Sequence, residues 1–343
     1  MGRLPLRALP ILMVALVARG AWPLGTQAAT QGAAPANTWV NVTGNLAKMA
    51  SECGNLTLLS PVPRSDRIIA GVAGKGLWAN SRGSSWSQLG SGAESEAVAN
   101  RASWITYDPI RPHVFWESGS YGNGVYKTTD GGRTFRQLGS IRHVDYVSVD
   151  FRDPSRATLL AGGHEQSQLV YRSTDGGETW TNIGLKLPAK TGASTNPLVI
   201  NARTYLVNTV GSGIFRTTNA GFSWQQVSAL GPSGPPLVAS DGTIYWPVNS
   251  SLARSSDSGL TWTQVGSNLQ PVHPIELADG KLVSVGANNL MISDDGGSNW
   301  SPFGAPLPFT PAGVIYSPSR RTFFIWHWDC GAVVLPDAVA AIS

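Results

Sequence analysis

The chain has 343 residues, with 25 Lys and Arg against 21 Asp and Glu, only 13% charged residues, 39 Gly and 13 Trp. That length supports one large domain or two ordinary ones, and low charge with abundant Gly, Trp, Ser and Thr suits an all-β protein rich in turns. The balance excludes a disordered chain and a coiled coil.

Arg3 and Arg7 open the chain, an apolar run of 11 residues follows at 8–18, and small residues stand at Ala28 and Ala29. The run is too short to cross a bilayer, so residues 1–29 read as a secretory signal peptide and 30–37 as a linker. Removing Arg3, Arg7 and Arg19 from the 25 basic residues leaves 22 against 21 acidic ones. The pI near 9.2 is therefore largely a property of that segment. No basic run suited to nucleic acid remains, and no other apolar stretch is long enough to span a membrane. The expected location is extracellular or periplasmic, the expected state a monomer. In that compartment Cys53 and Cys330 are expected to form a disulfide.

From residue 38 onward the chain repeats itself. ANSRGSSW ends at Trp86, KTTDGGRTF at Phe135, RSTDGGETW at Trp180, RTTNAGFSW at Trp224, RSSDSGLTW at Trp262 and ISDDGGSNW at Trp300. The spacings are 49, 45, 44, 38 and 38 residues. Before each of these turns come apolar strands, such as WITYDP and HVFW or YVSVDF and TLLAG, and the closing aromatic begins a further strand. Four antiparallel strands per unit of this length predict a β-propeller blade. The N-terminal NTWVNVTGNL reads as a fourth strand lacking its first three. The segment 311–335 reads as three strands lacking a fourth. Six whole blades and one composite blade predict an all-β, seven-bladed propeller over 38–343. The ring closes by pairing Trp39 to Val42 with a last strand near Val333, which removes two exposed sheet edges.

The repeated turn resembles the Asp-box, or BNR repeat, of sialidases, sortilin-type receptors, oligoxyloglucan-type glycosidases and photosystem assembly factors. The DP-x-x-P-like turns, Asp108 to Pro112 and Asp153 to Arg156, look most like the glycosidase and sortilin branch. The resemblance covers residues 38–343, is specific for fold, and leaves function open. It implies that the turns lie on the outer rim, away from the ligand face. The residues agree: Asp175 is placed to accept backbone amides as in an Asx-turn, Gly176 and Gly177 permit positive φ, and Trp180 anchors the turn. Glu178 is replaced by Arg133, Phe222, Leu260 and Ser298 in other copies, which no catalytic acid would be. One acid per copy is too few for a calcium loop. The R-I-P-type segment of sialidases is missing from PVPRSDRIIAG, and the two-propeller cleft of the oligoxyloglucan enzymes has no counterpart in one propeller.

Strand polarity places the loops between second and third strands, and those between blades, on one face. There converge His143, His164, His273 and His327, four of the five histidines, with Glu117, Asp145, Glu165 and Asp329 and with Trp116, Tyr121 and Trp328. Carboxylates and histidines among aromatics suit a sugar: rings stack on aromatic faces, and acid, base or nucleophile comes from the polar groups. The candidate catalytic residues are His143, Asp145, His164, Glu165, Tyr121 and Arg101. The candidate substrate contacts are Trp116, Glu117, His273, His327, Trp328 and Asp329. Plainer readings stand beside these: His143 paired with Asp145 at a loop end, His164 and Glu165 at a solvated tip, His273 in the rigid connector PVHP, and Trp326 and Trp328 in the core. No spacing indicates a metal or another cofactor. Two functions fit, a glycosidase or polysaccharide lyase acting on a plant or microbial polysaccharide, and a non-catalytic binding or assembly propeller.

Overall fold

The computed structural model describes residues 38–49, 56–327 and 339–342. The segment expected to be a signal peptide, the pair Cys53 and Cys330 expected to form a disulfide, and Trp328 and Asp329 lie outside the described residues. Within them the chain forms four-stranded antiparallel sheets arranged blade after blade. Six blades are each made of four consecutive strands, over 56–88, 101–137, 144–182, 198–228, 237–265 and 275–303. Six whole blades thus stand against the seven-bladed propeller expected. The remaining four-stranded sheet is a composite of Gly313–Ser317, Thr322–Trp326 and Val339–Ile342 with Val40–Asn41 from the other end of the chain. The closing strand also differs from the expectation. Val40 pairs with Ala341 and Asn41 with Ala340, not with residues near Val333. GAVVL and AVAAI are equally apolar runs, and a period-two pattern alone does not choose between them.

Strand alternation sends one row of side chains into the gap on each side of a blade. Between the second and third blades, for example, Trp116, Val125 and Leu138 pack on Val147 and Leu159. Gly119 shows how closely neighbours approach. A Cβ there would lie 2.2 Å from the Asn100 side chain. This explains why the second strand of that blade is Phe115–Ser120 and not the shorter HVFW expected. ESGS has loop composition, but small residues are what the tight gap admits.

The repeated turns are held by a relay within each hairpin. Ser173 Oγ donates to Asp175 Oδ1 (2.7 Å) and accepts the Gly177 amide (2.8 Å), while Asp175 Oδ1 accepts the Thr179 amide (3.0 Å). Thr128 with Asp130, Ser255 with Asp257 and Ser293 with Asp295 repeat it. The serine or threonine two residues before the acid is a partner that the sequence reading passed over. These bonds, from Thr179 first, hold the Asp175 carboxyl well below the usual carboxylate range. Trp180 reaches back to the preceding blade, donating from Nε1 to the Leu138 carbonyl at 3.1 Å.

Candidate functional site

Four chain segments of the second and third blades meet at one end of their inner strands. Arg101 opens the strand Arg101–Tyr107. Tyr121 follows Phe115–Ser120. His143 precedes Val144–Val149, which carries Asp145. His164 and Glu165 follow Leu159–Gly163. The loops are tied by backbone: His143 N donates to Gly122 O (3.1 Å), and His164 N donates to His143 O (2.7 Å).

Asp145 is a bulge residue. Val144 pairs with Gly163 and Tyr146 with Gly162, so Asp145 has no opposite number. An extra residue in a strand re-aims its side chain, and here the carboxylate turns to His164. Tyr121, His143 and Glu165 adopt φ of 54°, 53° and 54°. Non-glycine residues visit this left-handed region uncommonly, and the surrounding loops hold all three there.

His164 Nδ1 lies 2.7 Å from Asp145 Oδ1. A carboxylate only accepts, so Nδ1 carries the proton in the neutral ring and Nε2 carries the lone pair. His164 Nε2 is buried without a hydrogen-bond partner, and Glu165 Oε1 stands 3.7 Å away. The Asp145 bond raises the His164 pKa above the ordinary imidazole value; burial opposes this without cancelling it. Tyr121 covers the dyad with its ring edge-on, 4.9 Å from His164. The Tyr121 amide donates to His143 Nδ1 at 3.1 Å, which places the His143 proton on Nε2. The Arg101 guanidinium carbon lies 5.7 Å from the centre of the Tyr121 ring. Burial lowers the Arg101 pKa, while Tyr121, Asp145 and Glu165 act to raise it. The six residues expected to be catalytic are therefore neighbours in space.

The expected substrate contacts fare differently. Trp116 is fully buried in the core between blades, because its strand runs on to Ser120 and keeps it away from the loop end. Glu117, also fully buried, lies one residue on, on the other side of the blade. Asn100 Nδ2 donates to Glu117 Oε2 at 3.2 Å, and Oε1 has no partner. Burial pushes its carboxyl up to about 8, so it is neutral over most of the physiological range. His273 lies on the wall of a cavity of about 530 Å³ bounded by inner strands of several blades. It meets Trp104 edge-on at 4.7 Å, and its Nδ1 donates to Pro235 O at 3.1 Å. Burial pushes it down to about 4. His327 packs against Phe309 at 5.7 Å. Among the described residues, no group of His, Cys, Asp and Glu is arranged to hold a metal.

Solved structures share this architecture. A GH74 enzyme from Niastella koreensis matches with 15% identity over 89% of this chain and 53% of its own, at a TM-score of 0.60. The extracellular domain of a putative hybrid two-component system of B. thetaiotaomicron matches with 14% identity over 85% and 40%, at 0.61. YCF48 bound to D1 peptide matches with 16% identity over 90% and 97%, at 0.55. The fold is a β-propeller. Identities this low show the fold alone. The chain spans about half of the GH74 enzyme's length. No family model and no curated protein matches it. Among the described residues, no helix is long and apolar enough to cross a membrane.

Proposed function

We propose that this propeller is a carbohydrate-active protein of the extracellular or periplasmic space. Its reaction is β-elimination on a uronate-containing polysaccharide, with His164 as the base. The observation that supports this most is the Asp145–His164 bond of 2.7 Å, which leaves Nε2 as a buried, unpartnered lone pair. A base oriented by a carboxylate and shielded from water suits proton abstraction beside a carbonyl group. Nε2 takes the proton from the carbon next to the uronate carboxylate. That electron pair becomes the new carbon–carbon double bond, the bond to the glycosidic oxygen breaks, and the departing oxygen takes the Tyr121 hydroxyl proton. Arg101 supplies positive charge for the carboxylate, whose negative charge grows during abstraction. A hydrolase is less well served, since it needs two carboxylates free for acid and base or nucleophile work, and Asp145 is committed to His164.

The purified protein is to be incubated with uronate-containing and neutral polysaccharides while the near-ultraviolet absorbance of unsaturated uronate ends is followed. Their appearance with wild-type protein and loss in His164→Ala supports the lyase reading. New reducing ends without unsaturation would replace it with hydrolysis. Inactivity on the whole panel would favour the second reading, a binding propeller. That alternative draws on the near-complete coverage of YCF48, a structure with bound peptide.

A further inference from the structure

On the opposite face of the ring, the first two blades enclose a second cavity of about 330 Å³. It lies between the loops that join first to second strands, 62–67 and 108–114, with Gly131 of a repeated turn at its edge. Its polar lining includes Arg64, Arg67 and His113, and its apolar walls include Val62, Ile110 and Phe115. No carboxylate lines it.

Both arginines are held by backbone rather than by acids. Arg64 Nη2 donates to the carbonyls of Pro109 (3.2 Å) and Ile110 (2.7 Å). Arg67 Nη1 donates to Gly131 O at 3.2 Å. Carbonyls orient a guanidinium without neutralising it, and each leaves other N–H donors of the fork for a further partner. The nearby acids are committed elsewhere. Asp66 turns to Arg82, Asp108 is held by Arg111 and Arg156, and Asp130 accepts the amide and hydroxyl of Thr134 in its own turn. Arg64 sits at φ 59°, an uncommon conformation for a long side chain, so the loop presents it at some conformational cost.

We propose that this cavity is a binding site for a small oxyanion, a carboxylate or sulfate group carried on a ring or other compact apolar body. Arg64 and Arg67 grip the anion, and the walls cover the body. The site is independent of the His164 cluster and lies on the other side of the propeller.

Isothermal titration with sodium glucuronate, inorganic sulfate and glucose tests it. Saturable binding of glucuronate and sulfate is expected, with no heat from glucose. Arg64→Met and Arg67→Met are each expected to weaken it about tenfold or more, the loss of one charge-assisted pair. Arg82→Met, on the same face but outside the cavity lining, leaves it unchanged. Sulfate binding without glucuronate binding would assign the site to tetrahedral anions, and the reverse to carboxylates. If Arg67→Met lowers the melting temperature through loss of the Gly131 contact, Arg64→Met on its exposed loop decides. Absence of saturable binding by either anion, retention in both arginine variants, or an equal loss in Arg82→Met would each overturn the proposal.

Discussion

The two faces of the propeller use carboxylates in opposite ways. At each repeated turn the acid is satisfied inside its own hairpin: Asp175 takes partners from Ser173 and Thr179, four residues away at most. Both carboxylate oxygens have a donor within the hairpin, and the carboxyl is held low. On the other face Asp145 bonds a residue 19 positions away, just past the end of the neighbouring strand. Its partner keeps an unsatisfied buried nitrogen. A locally satisfied acid closes a turn. An acid that spends its hydrogen bond orienting a distant, incompletely satisfied base is set up for chemistry.

The sharpest test of this contrast is His164→Ala, expected to lower turnover of a uronate substrate by about 10²–10⁴-fold with the fold intact by circular dichroism. Asp145→Asn against Asp175→Asn comes next, the same chemical change on the two faces. The first is expected to cost about 10²-fold or more in turnover, because the charge is lost and the new amide can donate to Nδ1, which moves the ring proton to Nε2. Loss of the carboxylate also removes the main influence raising the His164 pKa, so the basic form appears at lower pH and the rising limb of the pH–rate profile moves down. The second leaves turnover unchanged. The fourth blade already carries Asn219, whose Oδ1 accepts the Ser223 amide and whose Nδ2 donates to Ser223 Oγ. Equal losses in the two variants would break the comparison.

Stability effects follow on the rim and between blades. Arg156 Nε donates to the fully buried Asp108 at 3.0 Å. Burial acts to raise the Asp108 pKa, but bonds from Arg156 and from the Arg111 and Ile110 amides outweigh it and hold the carboxyl well below its ordinary range. Arg156→Ala is expected to cost up to about 3 kcal/mol in denaturant unfolding, since it removes the buried partner of a buried charge that keeps only Arg111 and two amides.

Glu117→Gln is expected to act in the opposite direction at alkaline pH. The folded pKa of Glu117, about 8, lies above its ordinary 4.5. Its stabilising contribution is therefore complete below about pH 4.5 and is lost as pH rises through 8. Glutamine carries no such titration and has an amide to offer Asn100 Oδ1, which is buried without a partner. At pH 8 the variant is expected to be more stable by about 1–3 kcal/mol, and its unfolding free energy to vary less between pH 5 and 8. An unaltered pH dependence would show that Glu117 is ionised in the fold.

Most of the architecture was written in short-range pattern. Serine or threonine, Asp, two small residues and an aromatic build a turn from bonds spanning four residues, so each copy declares itself, and the copy spacing delimits the blades. Arg101, Tyr121, His143, Asp145, His164 and Glu165 were named because strand polarity sends their loops to one face. Pairing Asp145 with His164 needed the bulge that turns one residue of Val144–Val149 out of register, and the left-handed backbone at Tyr121, His143 and Glu165. Trp116 and Glu117 were misplaced because the second strand continues through ESGS, a choice made by how tightly Asn100 packs on Gly119. The closing strand was misplaced because two apolar runs compete for one partner. The sequence by itself determined the hairpins and their polarity, since turns are satisfied by neighbours in the chain. Strand ends, the bulge, the closing pair and the meeting of His164 with Asp145 were decided by tertiary structure, since each rests on packing and hydrogen bonds between segments far apart in sequence.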